Sequence, residues 1–165
     1  MLPLEKSEKY LGLIFNKSLK YDLNPHLILA IIFKESMCEL ISYRYEPKAS
    51  YFVNCAAYAK KLNISVYTEV AMQRTSWGLM QVMGFKAREM GYNDHLPYIL
   101  QNAELSIELG CLALKNFKSF WSYPLDMIAA YNAGSPRKNL GRYVNQKYVD
   151  DVKEYWAFLE KNIKF

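Results

Sequence analysis

The side chain best suited to chemistry in this chain is Glu35, a single carboxylate at the end of an apolar helical stretch. Ile31 and Ile32 lie one turn before it on the same helix face. A carboxyl group in such surroundings loses hydration, which disfavours its charged form and raises its pKa. A proton held near neutral pH is what a general acid needs, so Glu35 is the candidate donor. Position alone also fits a surface glutamate near a helix end.

Three other strings carry polar groups that could hold a ligand against this carboxylate. They read Tyr-Arg-Tyr-Glu-Pro at 43–47, Ser-Trp-Gly-Leu-Met-Gln-Val-Met at 76–83 and Ala-Tyr-Asn-Ala-Gly at 130–134. Each string alone is weak, because Gly-Leu-Met-Gln could open a helix and Tyr-Asn-Ala-Gly could close one. Their occurrence in this order after Glu35 indicates one active site.

In this order the strings resemble the catalytic domain of soluble lytic transglycosylases and goose-type lysozymes, over about residues 24–156. The resemblance implies a mostly α, lysozyme-like domain that acts on the glycan strands of peptidoglycan. The bond cut would be the β-1,4 bond between N-acetylmuramic acid and N-acetylglucosamine. No metal and no organic cofactor would be needed.

The resemblance also implies roles for individual residues. Glu35 and Ser36 look like the catalytic Glu-Ser pair of the family, and the hydroxyl of Tyr131 would point at the acid. Gly78 would let backbone approach a sugar, since it has no Cβ. The residues that would bind or orient the glycan are Ser36, Gly78, Gln81, Met83, Tyr131, Asn132 and, by a looser match, Tyr148.

The chain departs from the usual pattern between Glu35 and Gly78, where a long insertion carries an Arg-Tyr-Glu-Pro string. This string looks like a subgroup seen among phage-type and bacterial proteins. Glu46 within it is a candidate second carboxylate, and a loop glutamate paired with Arg44 fits equally well. Glu39, four residues after Glu35, is expected to share its helix face.

The number of carboxylates bears on the reaction, because most glycosidases use two. One is enough if the muramic acid hydroxyl attacks the anomeric carbon while Glu35 acts first as acid and then as base. The product would then be a 1,6-anhydro sugar, and the neighbouring N-acetyl group could stabilise the developing cation. With water as nucleophile the same site would be a lysozyme. A third alternative is a non-catalytic glycan-binding or virion structural domain.

The elements that must position these residues are predicted to be helices in a single domain over residues 1–165. The first helix is expected to pack on the catalytic core, and a short hairpin in 43–54 is the candidate exception to an all-helical chain. Asn24-Pro25 predicts a helix start by N-cap and first-turn proline. The predicted helices cover about 5–21, 25–39, 50–62, 66–73, 75 or 76 to 90, 102–121, 124–134 and 146–161.

Composition narrows the remaining function classes. The net charge of +5 would attract nucleic acid, anionic lipid or wall carboxylates. No nucleic-acid recognition motif is present, so we expect no nucleic-acid partner. No run of about 18 apolar residues occurs, so we expect no integral membrane segment. The sequence indicates no particular protein partner.

The cysteines and histidines carry little further chemistry. Cys38, Cys55 and Cys111 are odd in number and lack C-x-x-C spacing, which predicts buried free thiols, although a Cys38–Cys55 pair is conceivable. The two histidines are isolated, so metal binding is not expected. The N-terminus mixes acids and bases and does not resemble a signal peptide. A removed leader or another route would bring the protein to a periplasmic, extracellular or phage-associated location.

Overall fold

The computed structural model describes residues 2–165 and is mostly helical, as predicted. The helices are α1 (Leu11–Tyr21), α2 (Pro25–Ser36), α3 (Cys55–Leu62), α4 (Val66–Gln73), α5 (Gly84–Glu89), α6 (Ala103–Phe120), α7 (Pro124–Ala133) and α8 (Gln146–Asn162). The strands are β1 (Tyr43–Tyr45), β2 (Thr75–Trp77), β3 (Val82–Met83), β4 (Lys138–Asn139) and β5 (Arg142–Tyr143). Short 3₁₀ segments cover Leu4–Lys6, Glu8–Tyr10 and Leu96–Gln101.

The chain divides into two compact units. The first contains the described residues up to 38 together with residues 111–165, and the second contains residues 39–110. The single domain expected from the sequence stays a prediction. Among residues 2–165, no helix combines the length and apolar character that a membrane span requires.

The first unit is organised around α2, whose residues 28–33 have no exposed surface. Helices α1 and α8 pack on α2, and α7 packs on α8. The predicted start of α2 is confirmed: the Asn24 side chain accepts a hydrogen bond from the Leu27 N–H at 3.1 Å, and Pro25 follows it. Such a cap satisfies a backbone donor that has no partner inside the helix.

The end of α2 comes earlier than predicted. The helix stops at Ser36, because Met37 and Cys38 adopt left-handed backbone conformations with φ of 50° and 63°. The Met37 N–H still closes the last turn onto the Phe33 carbonyl at 3.1 Å, and the reversal buries Cys38. Glu39 therefore lies outside the helix, and the prediction that it shares a face with Glu35 is wrong.

The second unit contains a three-stranded antiparallel sheet in the order β1-β2-β3, with Tyr43 opposite Trp77 and Ser76 opposite Met83. The predicted helix from 75 or 76 to 90 is wrong. Gly78 and Gln81 adopt left-handed conformations with φ of 74° and 47°, which turn the chain back between β2 and β3. Only Gly84–Glu89 of the predicted range is helical.

Other predicted elements differ in detail. The hairpin expected in 43–54 does not form, because β1 pairs with the distant β2. The hairpin of the first unit is β4–β5 instead. Helix α3 begins only at Cys55, and residues 4–10 form 3₁₀ turns before α1.

Four predicted helices are confirmed within a residue or two, namely α4, α6, α7 and α8. Their ends follow capping chemistry that the sequence displays. The Asn102 side chain accepts from the Leu105 N–H at 2.9 Å before α6, and Gly134 closes α7 with a φ of 75°.

None of the three cysteines of the described residues forms a disulfide, and Cys38 and Cys111 are buried as predicted. Cys55 is only half-buried.

Candidate active site

Glu35 lies in the last turn of α2, two residues after Phe33, the last of the six residues that have no exposed surface. Its own side chain is half-buried. A carboxylate at the end of a helix whose middle is fully buried is held by a rigid element rather than a loop, which favours a defined geometry.

The hydroxyl of Tyr148 donates a hydrogen bond to Oε1 of Glu35 at 2.6 Å. Tyr148 lies in the first turn of α8 and is 8% exposed. Burial raises its pKa well above the usual value, and the charge of Glu35 and this hydrogen bond raise it further. The phenol therefore remains protonated at neutral pH and donates its hydrogen to Oε1 of Glu35.

Tyr131 is a second phenol in the neighbourhood of Glu35. It lies on α7 and contacts the ring of Phe117 edge to face, with 6.4 Å between centroids. Burial raises the pKa of Tyr131 well above its usual value, and the charges of Glu35 and Cys111 add to the shift. The structure thus groups Tyr131, Tyr148 and Glu35 within the first unit.

The other predicted site residues of the first unit are Ser36 and Asn132. Ser36 is buried and its Oγ donates to the Ile32 carbonyl at 3.2 Å. Asn132 is exposed at the end of α7, and its Oδ1 accepts from Nδ2 of Asn145 at 3.0 Å. Asn145 was not singled out from the sequence, although it directly precedes α8.

The predicted site residue Gln81 belongs to the second unit, and its amide holds the turn between β2 and β3. Its Nε2 donates to the Ser42 and Gly78 carbonyls at 2.9 and 2.8 Å, and its Oε1 accepts from Ser76 Oγ at 2.9 Å. Both amide hydrogens are therefore used inside the protein. Oε1 of Gln81 can accept one further hydrogen bond.

Gly78 has a structural reason to be glycine. Besides its positive φ, a Cβ at this position would lie 2.4 Å from Ser106 Oγ. That hydroxyl accepts a hydrogen bond from the Leu79 N–H at 2.8 Å, so it holds the turn. Ser106 was missed from the sequence. The available signal was a lone serine in the apolar part of α6.

Glu46 and Met83 complete the predicted set in the second unit. Glu46 Oε1 and Arg44 Nε form an ion pair at 2.5 Å, which is the alternative that the sequence left open. Met83 is half-buried on β3. In the described part of the chain, no group of His, Cys, Asp and Glu side chains has an arrangement that could hold a metal ion.

The site residues lie inside a region that matches a known protein family. The model of the transglycosylase SLT domain matches residues 12–155. The matched range includes Glu35, the turn at 78–81, Tyr131 and Tyr148. No curated protein and no solved structure gives a significant match to the chain.

Proposed function

Because the chain belongs to the transglycosylase SLT domain family, whose members degrade peptidoglycan, we propose that it is a lytic transglycosylase. The bond cleaved is the β-1,4 bond between N-acetylmuramic acid and N-acetylglucosamine, and the product is a 1,6-anhydro sugar. The observation that carries the proposal is the 2.6 Å hydrogen bond from the buried Tyr148 hydroxyl to one oxygen of Glu35.

The first step is proton transfer to the leaving sugar. Glu35 donates its carboxyl proton to the glycosidic oxygen, the bond to the anomeric carbon breaks, and positive charge develops on the muramic acid ring. Glu35 becomes a carboxylate, and the hydrogen bond from Tyr148 stabilises the charge that forms on it. The N-acetyl group of the substrate stabilises the developing cation.

The second step returns the proton. The Glu35 carboxylate removes the proton from the muramic acid C6 hydroxyl, and that oxygen attacks the anomeric carbon. One O–H bond is broken, one C–O bond closes the anhydro ring, and Glu35 is protonated again for the next cycle. No second protein carboxylate takes part, so the ion pair of Glu46 with Arg44 is compatible with turnover.

We propose that glycan contacts come from Tyr131, Ser36, Asn132, Tyr148, Gly78, Gln81 and Met83. The hydrogen bonds of Gln81 determine what kind of contact it makes. Both amide hydrogens are already used, so its Oε1 accepts a hydrogen bond from a sugar hydroxyl or amide. The continuous family match over residues 12–155 supports a single catalytic domain. Its substrate implies a site of action outside the cytoplasm, in the periplasm, outside the cell or on a phage particle.

The test is the structure of the product from purified glycan strands. Mass spectrometry of wild-type digests should show muropeptides with 1,6-anhydro ends, each lighter by one water than the hydrolysis product. Reducing ends would instead identify a goose-type lysozyme. An absence of cleavage by folded protein would favour the non-catalytic alternative and contradict the proposal.

A further inference from the structure

An ion pair next to Glu35 is used by neither step of the mechanism. Lys34, the residue before Glu35, places its Nζ 2.8 Å from Oδ2 of Asp151. The pair joins the last turn of α2 to α8, and its side chains are 27% and 21% exposed. Partial burial of both partners distinguishes it from an ordinary solvated surface pair.

The same ammonium group also reaches the tyrosine that touches the acid. Lys34 Nζ lies 5.9 Å from the centroid of the Tyr148 ring, at the limit of a cation–π contact. Tyr148 therefore contacts Lys34 with its ring and Glu35 with its hydroxyl. Without Asp151, the Lys34 ammonium would lose its carboxylate partner beside the tyrosine that contacts Glu35.

The charged and titratable groups around this cluster come from three other helices. Helix α8 contributes Asp151, Tyr148 and Lys147, whose Nζ lies 3.1 Å from Oδ1 of Asp151. Helix α7 contributes Tyr131 and helix α6 contributes Cys111. The hydrogen bond from Lys34 is the main cause that lowers the pKa of Asp151, so Asp151 stays ionised at neutral pH and the pair persists.

We propose that Asp151 is a positioning residue that holds the Lys34 ammonium on the Tyr148 ring and prevents it from pairing with Glu35. The need is electrostatic, because an ammonium group beside a carboxyl favours the charged form and would remove the proton that Glu35 must donate. The inference rests on the proposed function, since it concerns the protonation of the same acid.

The experiment is a set of pH–rate profiles on purified glycan strands. The alkaline limb reports loss of the proton from the acid. Asp151→Asn should move this limb to lower pH by about one unit, a roughly tenfold loss of rate on the limb. The double variant Lys34→Met/Asp151→Asn should return the limb to the position seen with Lys34→Met alone, since the released ammonium is then absent. Asp151→Ser carries the same expectation and replaces Asp151→Asn if the latter does not fold.

Two controls separate this role from general loss of an ion pair. Lys147→Met removes the other lysine on Asp151, which is 88% exposed, and should leave the limb in place. Glu89→Gln removes the Lys86–Glu89 ion pair, whose N–O distance is also 2.8 Å and whose side chains are 31% and 30% exposed. This variant should also leave the alkaline limb in place.

The outcomes distinguish the two proposals. An alkaline limb that does not move in Asp151→Asn, or that moves equally in the double variant, overturns the role of Asp151. An absence of turnover by the wild type at every pH contradicts the proposed function itself.

Discussion

At the residue scale, Glu35 shares a short hydrogen bond with a buried phenol. Oε1 accepts the hydrogen bond of Tyr148, whose burial keeps its hydroxyl protonated. In the proposed mechanism Glu35 serves first as acid and then as base, and the hydrogen bond from Tyr148 stabilises its charged form between the steps.

Tyr148→Phe should therefore lower kcat about tenfold to a hundredfold with a small change in KM, because a hydrogen bond to a charged group contributes about 1.5–3 kcal/mol. Steady-state kinetics on glycan strands measures both parameters. The matched control is Tyr143→Phe: Tyr143 is also 8% exposed, and its hydroxyl donates to the carboxylate of Asp126 at 2.5 Å. Equal losses of kcat in the two variants would contradict a specific role of Tyr148.

At the scale of elements, the sequence predicted the helix that carries Glu35 better than the turn that carries Gln81. The start of α2 is encoded locally by Asn24 and Pro25, and capping rules apply to it directly. Strand β2 depends on pairing with β1, and the turn after β2 depends on a hydrogen bond to Ser106, so both rest on contacts between residues far apart in the chain. The contact of Tyr148 with Glu35 could not be predicted from local patterns either, because it joins residues far apart in the chain.

Gly78→Ala should destabilise the protein more than Gly91→Ala does. Both positions have positive φ and carry the cost of a left-handed alanine, about 1 kcal/mol. Only at Gly78 does the new methyl meet another atom, Ser106 Oγ at 2.4 Å, and such overpacking costs a further 1–3 kcal/mol or so. Urea unfolding gives the comparison, and equal losses would contradict the described packing of the turn.

The second unit also contains a buried ion pair between α4 and α5. Arg88 donates from Nε and Nη2 to the two Glu69 oxygens at 2.8 and 3.0 Å, and both side chains have no exposed surface. Arg88→Met leaves a buried carboxylate without its partner and should cost about 3–5 kcal/mol of unfolding free energy. Replacing the exposed Arg44 in the same way serves as control, and a similar small loss in both would contradict the burial of the pair.

At the scale of the whole molecule, the charges affect two properties. They attract the anionic wall, and they make the free energy of unfolding depend on pH. A net charge of +5 attracts the carboxylates of a bacterial wall. Within the first unit, hydrogen bonds from lysines are the leading cause that lowers the pKa of Asp22 and of Asp151. The partners are Lys118 and Lys34, respectively.

These two shifts predict the direction of acid sensitivity. Each folded-state pKa lies below its unfolded value, so the unfolded chain binds more protons in that window and stability rises with pH through it. The contribution should be complete above about pH 5 and disappear as the pH falls below the ordinary aspartate pKa of about 4. Unfolding followed between pH 7 and pH 3 measures it. The double variant Asp22→Asn/Asp151→Asn should show a shallower slope, and an unchanged slope would contradict the assignment.

The measurement that tests the account most directly compares Glu35→Gln with Glu39→Gln in the clearance of purified wall. Both variants replace a carboxylate by an amide near the end of α2, but Glu39 lies beyond the helix and is exposed. With thermal unfolding confirming that both proteins fold, Glu35→Gln should lose at least about a hundredfold in rate, since it has no proton to donate. Glu39→Gln should clear wall at the wild-type rate. Wild-type clearance by Glu35→Gln would contradict catalysis through this residue.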